Sequence, residues 1–520
     1  MRKNILATLI LVAVLSSNLG AAFRSTSATP DLMMTATSSS TNVSGYISTN
    51  TTWTLANSPY IVTADVIVVP NVFLTIEPGV VVKFTAGTNL VIDGALIAQG
   101  NTTHVITFTS NATTPAPGDW GSIRFRDASP DYISRINWIE VSYGARGISL
   151  EGTSQSIYNS TFPHNNVAVF LQGGNVYVFN STLYANGYGI YSSYAGGDVN
   201  IFLSSFSNNS YGIYCESWAG HLLVSNSSFF DNDYGVHVYY CMTASILNSS
   251  FSNNTCGVSI AYRVSLSVSY SNFYNNTNGI LLRDCAFLSV FGSAFFNNTC
   301  GVKVSYYIES ISVSVLNCSF VDNTYGMLTD RHRVYELSFR ISKSNFLNNE
   351  ISGIDTFGSV WMTYSTVADN GGDSIALGYG GSIHYSNIYN NSEYNVRNTG
   401  SLNVNATNNW WGTTNTTIIE EDIYDYFDDY NLGVVFYQPF IDSPVTMPPI
   451  AHDIAITNVT ASPTSVTAGG TVYITVNVVN EGGFDENVTV TVRYDSVQIG
   501  NWTGWVYVGQ SQTLQFYWYT

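Results

Sequence analysis

Short runs of alternating apolar and polar residues recur along most of the chain, with little of the 3.6-residue spacing of a helix. The stretch FSNNTCGV at residues 251–258 returns as FFNNTCGV at residues 295–302, and FYNNTNGI lies between them. A period near 22 residues, built from short β-type alternations, is typical of a solenoid whose turns are each made of a few short strands. The pattern therefore predicts a parallel β-helix, in which each side chain lies on its copy from the turn before.

Each predicted coil has an apolar anchor residue, and an asparagine stands three residues after it in every copy. Asparagine tolerates the left-handed backbone of a sharp corner, and its amide can hydrogen-bond to copies above and below. We therefore predict a structural asparagine ladder of Asn165, Asn186, Asn209, Asn232, Asn254, Asn276, Asn298, Asn323, Asn349, Asn370 and Asn391. A serine two residues before most anchors and a glycine six residues after many of them predict two further columns.

The N-terminus has the three parts of a secretory signal peptide. Arg2 and Lys3 precede an apolar run at residues 5–15, and small residues follow at 20–22. We expect a signal peptide at 1–22, a flexible Ser/Thr-rich segment at 23–44, and no other transmembrane segment in the sequence. Many Asn-x-Ser/Thr sequons agree with an exported chain that carries N-glycans, although a composition rich in Asn, Ser and Thr also produces sequons by chance. The predicted location is extracellular or at the cell surface.

Only 10% of residues are charged, yet the formal net charge is -18. This balance excludes nucleic acid as an electrostatic partner and disfavours anionic lipid.

Several short strings resemble the right-handed parallel β-helix repeat proteins that archaea and bacteria export, which share the pectate-lyase-like superfamily fold. The strings are TIEPGVVVKF at residues 75–84, GDWG at 118–121, the asparagine-ladder coils, and NNWWG at 408–412. The resemblance covers residues 45–446 and implies the fold. It does not imply an activity, because lyases, hydrolases, epimerases and adhesins share this fold.

The residues after 446 form a different pattern. The Pro-rich stretch PVTMPPI at 444–450 indicates a stiff linker, and we place the linker between the two domains at residues 447–451. Residues 452–520 then alternate with period two between Gly and Asn-Glu-Gly turns. This predicts an immunoglobulin-like β-sandwich. HDIAIT at 452–457, VNEG at 479–482 and VTVRYD at 490–495 resemble the CARDB module, a cell-adhesion-related domain. The resemblance implies another strand or two, so we expect this module to be incomplete.

The end of the solenoid needs a cap, because an open β-helix leaves a whole coil of backbone groups unpaired. Residues 418–430 place Ile419, Ile423, Tyr426 and Phe427 near helical spacing, which predicts a short amphipathic helix. The acidic residues of this segment make calcium a candidate ligand, with a solvated helix face as the alternative. No Cys-x-x-Cys motif or Cys/His cluster in the sequence indicates a metal site, and no other cofactor is expected.

The segment after the glycine column varies most in length and chemistry, so we expect any binding site there. Aromatic rings recur on it in successive coils, and flat rings with polar tips suit stacking on sugar faces. The glycan-binding candidates are Tyr194, Glu216, Trp218, Tyr239, Tyr240, Tyr262, Tyr306 and Tyr307. The tyrosines just before the glycines (Tyr188, Tyr211, Tyr234 and Tyr325) are instead interpreted as a stacked structural column.

Catalysis has weaker support in the sequence. The candidates are Arg283, Asp284, Asp330, Arg331 and His332, which are interpreted either as a clamp for a substrate carboxylate or as a local ion-paired turn. Acids do not pair on adjacent coils at the position four residues past the glycine, as a two-carboxylate mechanism requires. The sequence favours a non-catalytic binding, adhesion or envelope-structural protein that recognises extracellular polysaccharide or cell-surface proteins. A polysaccharide lyase or glycoside hydrolase is the alternative.

Overall fold

The computed structural model describes residues 40–193, 196–216, 220–240, 243–262, 264–283, 287–305, 311–330, 337–446, 454–462, 471–480, 486–494, 497–506 and 511–519. Residues 41–436 form a parallel β-helix in which each coil contributes strands to three parallel ladders, called here ladder A, ladder B and ladder C in chain order. Each strand pairs with its copies on the neighbouring coils, as Phe251 does with Phe229 and Phe273. The predicted β-helix is confirmed.

Ladder A begins each repeat. Its strands are Thr51–Trp53, Phe73–Ile76, Ala95–Gln99, Arg135–Asn137, Gln155–Tyr158, Val176–Phe179, Val199–Phe202, His221–Ser225, Thr243–Leu247, Ser265–Ser269, Phe287–Phe291, Ile311–Leu316, Leu337–Ser342, Ser359–Thr363, Gly381–His384, Val404–Asn405 and Val435–Phe436.

Ladder B follows and has the shortest strands. They are Val81–Phe84, Ile106–Ser110, Ile139–Val141, Thr161–Pro163, Thr182–Tyr184, Ser205–Ser207, Ser228–Phe230, Ser250–Ser252, Asn272–Tyr274, Ala294–Phe296, Ser319–Val321, Asn345–Leu347, Thr366–Ala368 and Asn387–Tyr389.

Ladder C completes the coil and leads into the variable loops. It comprises Leu90–Ile92, Ile123–Phe125, Arg146–Glu151, Val167–Gln172, Tyr188–Ser192, Tyr211–Cys215, Tyr234–Val238, Cys256–Ala261, Asn278–Arg283, Cys300–Val304, Tyr325–Thr329, Ser352–Thr356, Ile375–Leu377, Val396–Asn398 and Ile423–Tyr424. The first strands, Thr41–Ile47 and Tyr60–Val68, take part in both ladder B and ladder C. A short 3-10 helix, Leu55–Asn57, lies between ladder A and ladder B.

The core is a set of side-chain columns that run along the solenoid. The anchor phenylalanines of ladder B are fully buried and stack ring on ring, as Phe273 does with Phe251 at 4.9 Å and with Phe295 at 4.8 Å. Offset stacking of this kind adds to the hydrophobic free energy that each ring gains by burial.

The asparagine ladder is buried and its hydrogen bonds run from coil to coil. Asn276 Nδ2 donates to Asn298 Oδ1 at 3.0 Å and to the carbonyl oxygen of Phe251 at 3.0 Å. Asn276 Oδ1 accepts from both the backbone N–H and the Nδ2 of Asn254, each at 3.0 Å. Each amide thus satisfies backbone groups that the corner would otherwise leave unpaired.

The prediction that the ladder asparagines adopt the left-handed backbone of the corner is wrong. The left-handed residue is the one before the ladder asparagine, for example Asn275 with φ 56°, whereas the ladder residues themselves do not have positive φ. The ladder position therefore requires asparagine for its hydrogen bonds and not for its backbone conformation.

The predicted serine and glycine columns also lie inside. Ser249 Oγ accepts from the backbone N–H of Ser227 at 3.2 Å and donates to the carbonyl oxygen of Leu247 at 2.8 Å, so this column caps the corner between ladder A and ladder B. At Gly257 a Cβ atom would lie 2.6 Å from the carbonyl oxygen of Gly279 and 3.1 Å from the ring of Phe273. The coils pack too closely there for any side chain.

The predicted cap helix is shorter than expected. Helix α1, Thr416–Glu421, starts after the N-cap Asn415 and buries Ile419. Ile423 and Tyr424 then continue ladder C, and Phe427 is exposed. The helical spacing in the sequence predicted too long a helix, because Ile423 lies in the closing β-strand, which also places its apolar side chain inside.

Beyond the solenoid the described strands form two antiparallel sheets. One contains Ile454–Ser462, Thr471–Asn480 and Ser511–Tyr519, and the other contains Glu486–Tyr494 and Val497–Val506. Val476 and Leu514 of the first sheet share a hydrophobic cluster with Val490 and Val506 of the second. None of the helices in the described part is long and apolar enough to cross a membrane.

Replacing Asn276 by alanine should destabilise the protein by about 2–4 kcal/mol, because buried donors on Asn254 and an acceptor on Phe251 lose their partner. The midpoint of urea unfolding, measured on protein made in a host without N-glycosylation, reports this loss. Asn275→Gly is the control, since Asn275 is exposed and left-handed and should change stability by less than about 0.5 kcal/mol. Equal losses in the two variants would contradict the role of the ladder.

Candidate functional site

Several predicted site residues lie outside the described residues. They are Tyr194, Trp218, Asp284, Tyr306, Tyr307, Arg331 and His332, each of which comes in the sequence between a described strand of ladder C and the next strand of ladder A. The signal peptide 1–22, most of the segment 23–44 and the whole linker 447–451 also lie outside. The predicted residues that are described are Glu216, Tyr239, Tyr240, Tyr262, Arg283 and Asp330.

Three of the predicted tyrosines come together on adjacent coils at the end of ladder C. Tyr239 and Tyr262 have ring centroids 4.6 Å apart in an edge arrangement, and Tyr240 stacks on Tyr262 at 5.0 Å. Tyr262 is 38% exposed. This group is called here the tyrosine cluster, and it presents ring surface at the edge of the variable loops.

A second aromatic surface lies beside the tyrosine cluster on the outer side of ladder C, and the sequence analysis identified only one of its two columns. Two columns form it and are together called the aromatic face: Tyr188, Tyr211 and Tyr234 in one, and Phe170, Tyr191, Tyr214 and His237 in the other. The first column stacks at 5.1 and 5.0 Å, as its structural interpretation predicted. The recurring motifs YGIY at 188–191 and 211–214 and YGVH at 234–237 are the signal that points to the second column.

Glu216 lies at the loop edge of the aromatic face. The hydroxyl of Tyr191 donates to Glu216 Oε1 at 3.3 Å. Burial and a hydrogen bond to Glu216 together raise the pKa of Tyr214 above its ordinary value. The two tyrosines therefore hold this carboxylate in place, and the raised pKa keeps the hydroxyl of Tyr214 neutral.

His237 closes the second column and links it to the tyrosine cluster. Its ring stacks on Tyr214 at 5.3 Å and lies 6.4 Å from the ring of Tyr239. The side chain is only 9% exposed, and Nδ1 has no hydrogen-bond partner among the described residues. Burial, with a smaller contribution from Arg283, lowers the pKa of His237 to about 4, so the ring is neutral at physiological pH.

At the opposite end, Arg146 covers the ring of Phe170, with its guanidinium carbon 3.6 Å from the ring centroid. Burial lowers the pKa of Arg146 from its ordinary value, although the guanidinium stays charged. Beside it a groove of about 310 Å³ contains Arg124 and Glu151, which form an ion pair of 2.7 Å. This groove, called the arginine groove, brings hydrogen-bond donors and acceptors next to the aromatic rings.

Asp330 lies further along ladder C, outside the aromatic face. It forms an ion pair with Lys303 at 3.1 Å and accepts a short hydrogen bond from Ser305. Leu328 lies on the same coil as Asp330. Asp355 on the following coil and Lys303 on the preceding coil are both paired with Leu328. Two carboxylates therefore do occur on adjacent coils here. The sequence search missed Asp355 because it counted only the fourth residue after each glycine, and Asp355 is the second.

No group of three or more His, Cys, Asp or Glu side chains that could hold a metal occurs among the described residues. The acidic cap segment, where calcium was a candidate, uses Asp425 internally. Its Oδ1 accepts from the backbone N–H of Phe427 at 2.9 Å, and its Oδ2 accepts from that of Val435 at 2.7 Å. These bonds give the buried carboxylate a structural role.

Two family models match the chain. The model described as "Right handed beta helix region" matches residues 146–306 and 219–359, and the model described as "Pectate-lyase like beta helix domain" matches residues 45–130. Together with the three parallel ladders, these matches define residues 41–436 as a right-handed parallel β-helix, as the sequence predicts.

Among solved structures, the periplasmic alginate epimerase AlgG aligns with 76% of this chain and 84% of its own, at 11% identity and a TM-score of 0.39. The tailspike protein of E. coli bacteriophage HK620 in complex with pentasaccharide aligns with 88% of this chain and 86% of its own, at 11% identity and a TM-score of 0.30. Comparison with curated proteins gives no significant match.

The buried neutral His237 predicts a specific pH dependence of stability. Below its ordinary pKa of 6.5, His237 binds a proton in the unfolded chain, whereas in the folded protein it binds one only below about pH 4. The free energy of unfolding therefore falls as the pH falls from 6.5 to 4. For the full shift the loss is about 3 kcal/mol.

His237→Phe should reduce the slope between pH 6.5 and 4, because phenylalanine binds no proton in either state. Urea unfolding at several pH values measures it, with His104→Gln, a substitution of an exposed histidine, as the control. Parallel curves for wild type and His237→Phe would contradict the buried neutral ring.

Proposed function

We propose that this protein is a secreted or cell-surface binding protein that recognises extracellular glycans through the aromatic face and the tyrosine cluster. The observation that carries the proposal is the continuity of this surface. Its rings contact one another from Phe170 through Tyr191, Tyr214 and His237 to Tyr239. Tyr191 and Tyr214 are half-buried and offer ring surface to a ligand, whereas Phe170 and His237 are buried and support them from either end. One such ring is common on any protein surface, whereas a connected series on successive coils offers a repeating platform.

The coil spacing supports an extended ligand. Successive rings of the two columns lie 5.0–5.4 Å apart, slightly more than one strand spacing. A chain of sugar rings lying along the solenoid would therefore meet aromatic surface on the coils of Tyr191 and Tyr214 and, past the buried His237, at the tyrosine cluster. Glu216 at the loop edge and the arginine groove at the far end supply the polar contacts that fix orientation in carbohydrate sites.

The chemistry of this surface supports binding in preference to catalysis. Glu216, the carboxylate at the edge of the aromatic face, is hydrogen-bonded to tyrosines. Asp330 follows the ladder C strand that lies five coils further along, roughly 24 Å away at one strand spacing per coil. Paired carboxylates in glycoside hydrolysis lie about 5–9.5 Å apart, so these two do not act together on one bond.

A lyase or hydrolase is the second candidate, and the observation that favours it is the group of Lys303, Asp330 and Asp355 on consecutive coils. A basic residue beside two carboxylates can move protons during cleavage of a polysaccharide. This group lies outside the aromatic face, so the two candidates are separable by mutation.

The C-terminal sheets fit an adhesion module in this proposal. We infer that residues 452–520 form a CARDB-like, immunoglobulin-like sandwich that serves attachment or contact with partner proteins. The hydrophobic cluster shared by the two antiparallel sheets supports that architecture.

A glycan array probed with the full exported chain tests the proposed function. We expect binding to at least one polysaccharide, reduced at least tenfold in Tyr214→Ala and Tyr262→Ala through loss of stacking surface worth about 1.4 kcal/mol or more. Tyr385→Ala, which removes an exposed ring from the corner before ladder B, is the matched control and should bind normally.

Each ligand found is then assayed for unsaturated or reducing-end products. Binding without products supports the binding protein. Products that disappear in Asp330→Asn or Asp355→Asn would replace it with the enzyme, and absence of any binding would reject glycan recognition.

A further inference from the structure

Every coil from residue 159 to residue 392 has two left-handed corners. The first corner joins ladder A to ladder B and places a residue such as Asn248, with φ 47°, before the buried serine column. The second corner joins ladder B to ladder C and places a residue such as Asn275, with φ 56°, before the ladder asparagine. Eleven coils can be compared at each corner.

Asparagine at these corners is accompanied by a hydroxyl residue two positions later. Six coils have asparagine at the second corner, and in five of them Ser or Thr stands two residues later; of the five coils with another residue there, one has Ser or Thr two residues later. Five coils have asparagine at the first corner, and all five have Ser or Thr two residues later; of the six coils with another residue there, two do. Two outward positions of the repeat therefore vary together as an Asn-x-Ser/Thr unit.

The fold does not require this pairing. Leu203, Tyr270 and Lys343 occupy the first corner with the same left-handed backbone, so the corner accepts other side chains. In none of the ten paired corners does the hydroxyl hydrogen-bond to its asparagine, whereas Thr103 donates to Asn101 and Thr407 to Asn405 in sequons elsewhere. The co-occurrence at the corners therefore has no folding explanation in the described residues.

The corner asparagines are accessible. Eight of the ten are exposed, and Asn159 and Asn317 are half-buried. The reacting asparagine and the hydroxyl residue that completes a sequon such as Asn275-Asn276-Thr277 are both exposed, because only the middle residue points into the solenoid. The side chain of Asn275 makes no hydrogen bond among the described residues.

We propose that the two corners are N-glycosylation sites, occupied at Asn159, Asn180, Asn226, Asn248 and Asn317 on the first corner and at Asn208, Asn253, Asn275, Asn297 and Asn390 on the second. The asparagine Nδ2 forms a bond to the anomeric carbon of an oligosaccharide carried on a lipid phosphate. The bond from that carbon to the phosphate oxygen breaks, the lipid phosphate leaves, and the amide proton passes to a base of the transferase.

Transfer precedes folding. In the folded coil the backbone N–H of Asn275 donates to the carbonyl oxygen of Phe296, and that of Thr277 donates to the carbonyl oxygen of Asn254. A transferase that needs an extended tripeptide cannot bind a sequon held in this way. The glycans are then displayed in two columns once the solenoid forms.

The two columns border ladder B on both sides and place few glycans beside the aromatic face. Of the four coils that carry Phe170, Tyr191, Tyr214 and His237, only the Tyr214 coil has a sequon at the second corner. The three consecutive sequons at Asn253, Asn275 and Asn297 begin past that surface. This proposal rests on export and not on glycan binding by the protein, so either can fail without the other.

Peptide mapping by mass spectrometry of the full chain purified from its native host tests the proposal. We expect glycan mass on corner asparagines, and Thr277→Ala expressed in that host should lose the glycan from Asn275 alone. Thr324→Ala is the matched control, because Thr324 occupies the same corner position after Asp322 and should leave every glycan in place.

A second measurement separates accessibility from folding. Purified oligosaccharyltransferase with a lipid-linked oligosaccharide donor should modify the urea-unfolded, diluted chain at the corners and leave the folded chain at least tenfold less modified there. Native protein with unmodified corner asparagines, or with glycans confined to sequons outside the corners, would overturn the proposal.

Discussion

The structure depends on the hydrogen bonds of the asparagine ladder. A β-helix must turn a corner between ladder B and ladder C on every coil, and each corner places backbone groups inside the protein where water does not reach them. One amide per coil supplies a donor and an acceptor to the neighbouring coils, at 3.0 Å in most steps. Because each ladder amide hydrogen-bonds to the amide of the next coil, the polar groups of one coil are paired only when its neighbours are present, as in other repeat proteins.

This constraint separates the invariant part of each coil from the variable part. The buried asparagine, phenylalanine and glycine columns must keep their register for the coils to stack. In the described part of the chain, the outer side of ladder C takes part in none of these columns, so residues there can change from coil to coil. The aromatic face, the arginine groove and the group around Asp330 all lie on ladder C or at its ends. The side chains that differ from coil to coil, and the candidate sites they form, therefore lie on ladder C.

Sequence predicted the buried columns well because their spacing repeats, and a repeated position with one residue type reveals an inside position. It indicated the tyrosines of the cluster because aromatic residues recur on the same segment of successive coils, and their role in binding stays a prediction. It missed the Tyr191 column, because its members change from phenylalanine to tyrosine to histidine, and it missed Asp355 because it followed one column only. The length of the cap helix was also beyond reach, since Ile423 satisfies the helical period and the closing strand equally. Position within a coil is readable from sequence, whereas contacts between different columns need the structure.

The central claim is that an extended glycan lies along the outer side of ladder C. A crystal structure of the full chain soaked with an oligosaccharide that it binds tests this most directly. The account predicts sugar rings stacked over Tyr191 and Tyr214 or over the tyrosine cluster, with a polar contact to Glu216 or Arg146. An oligosaccharide bound on ladder A, or held at Asp330 and Asp355 without touching the aromatic rings, would contradict it.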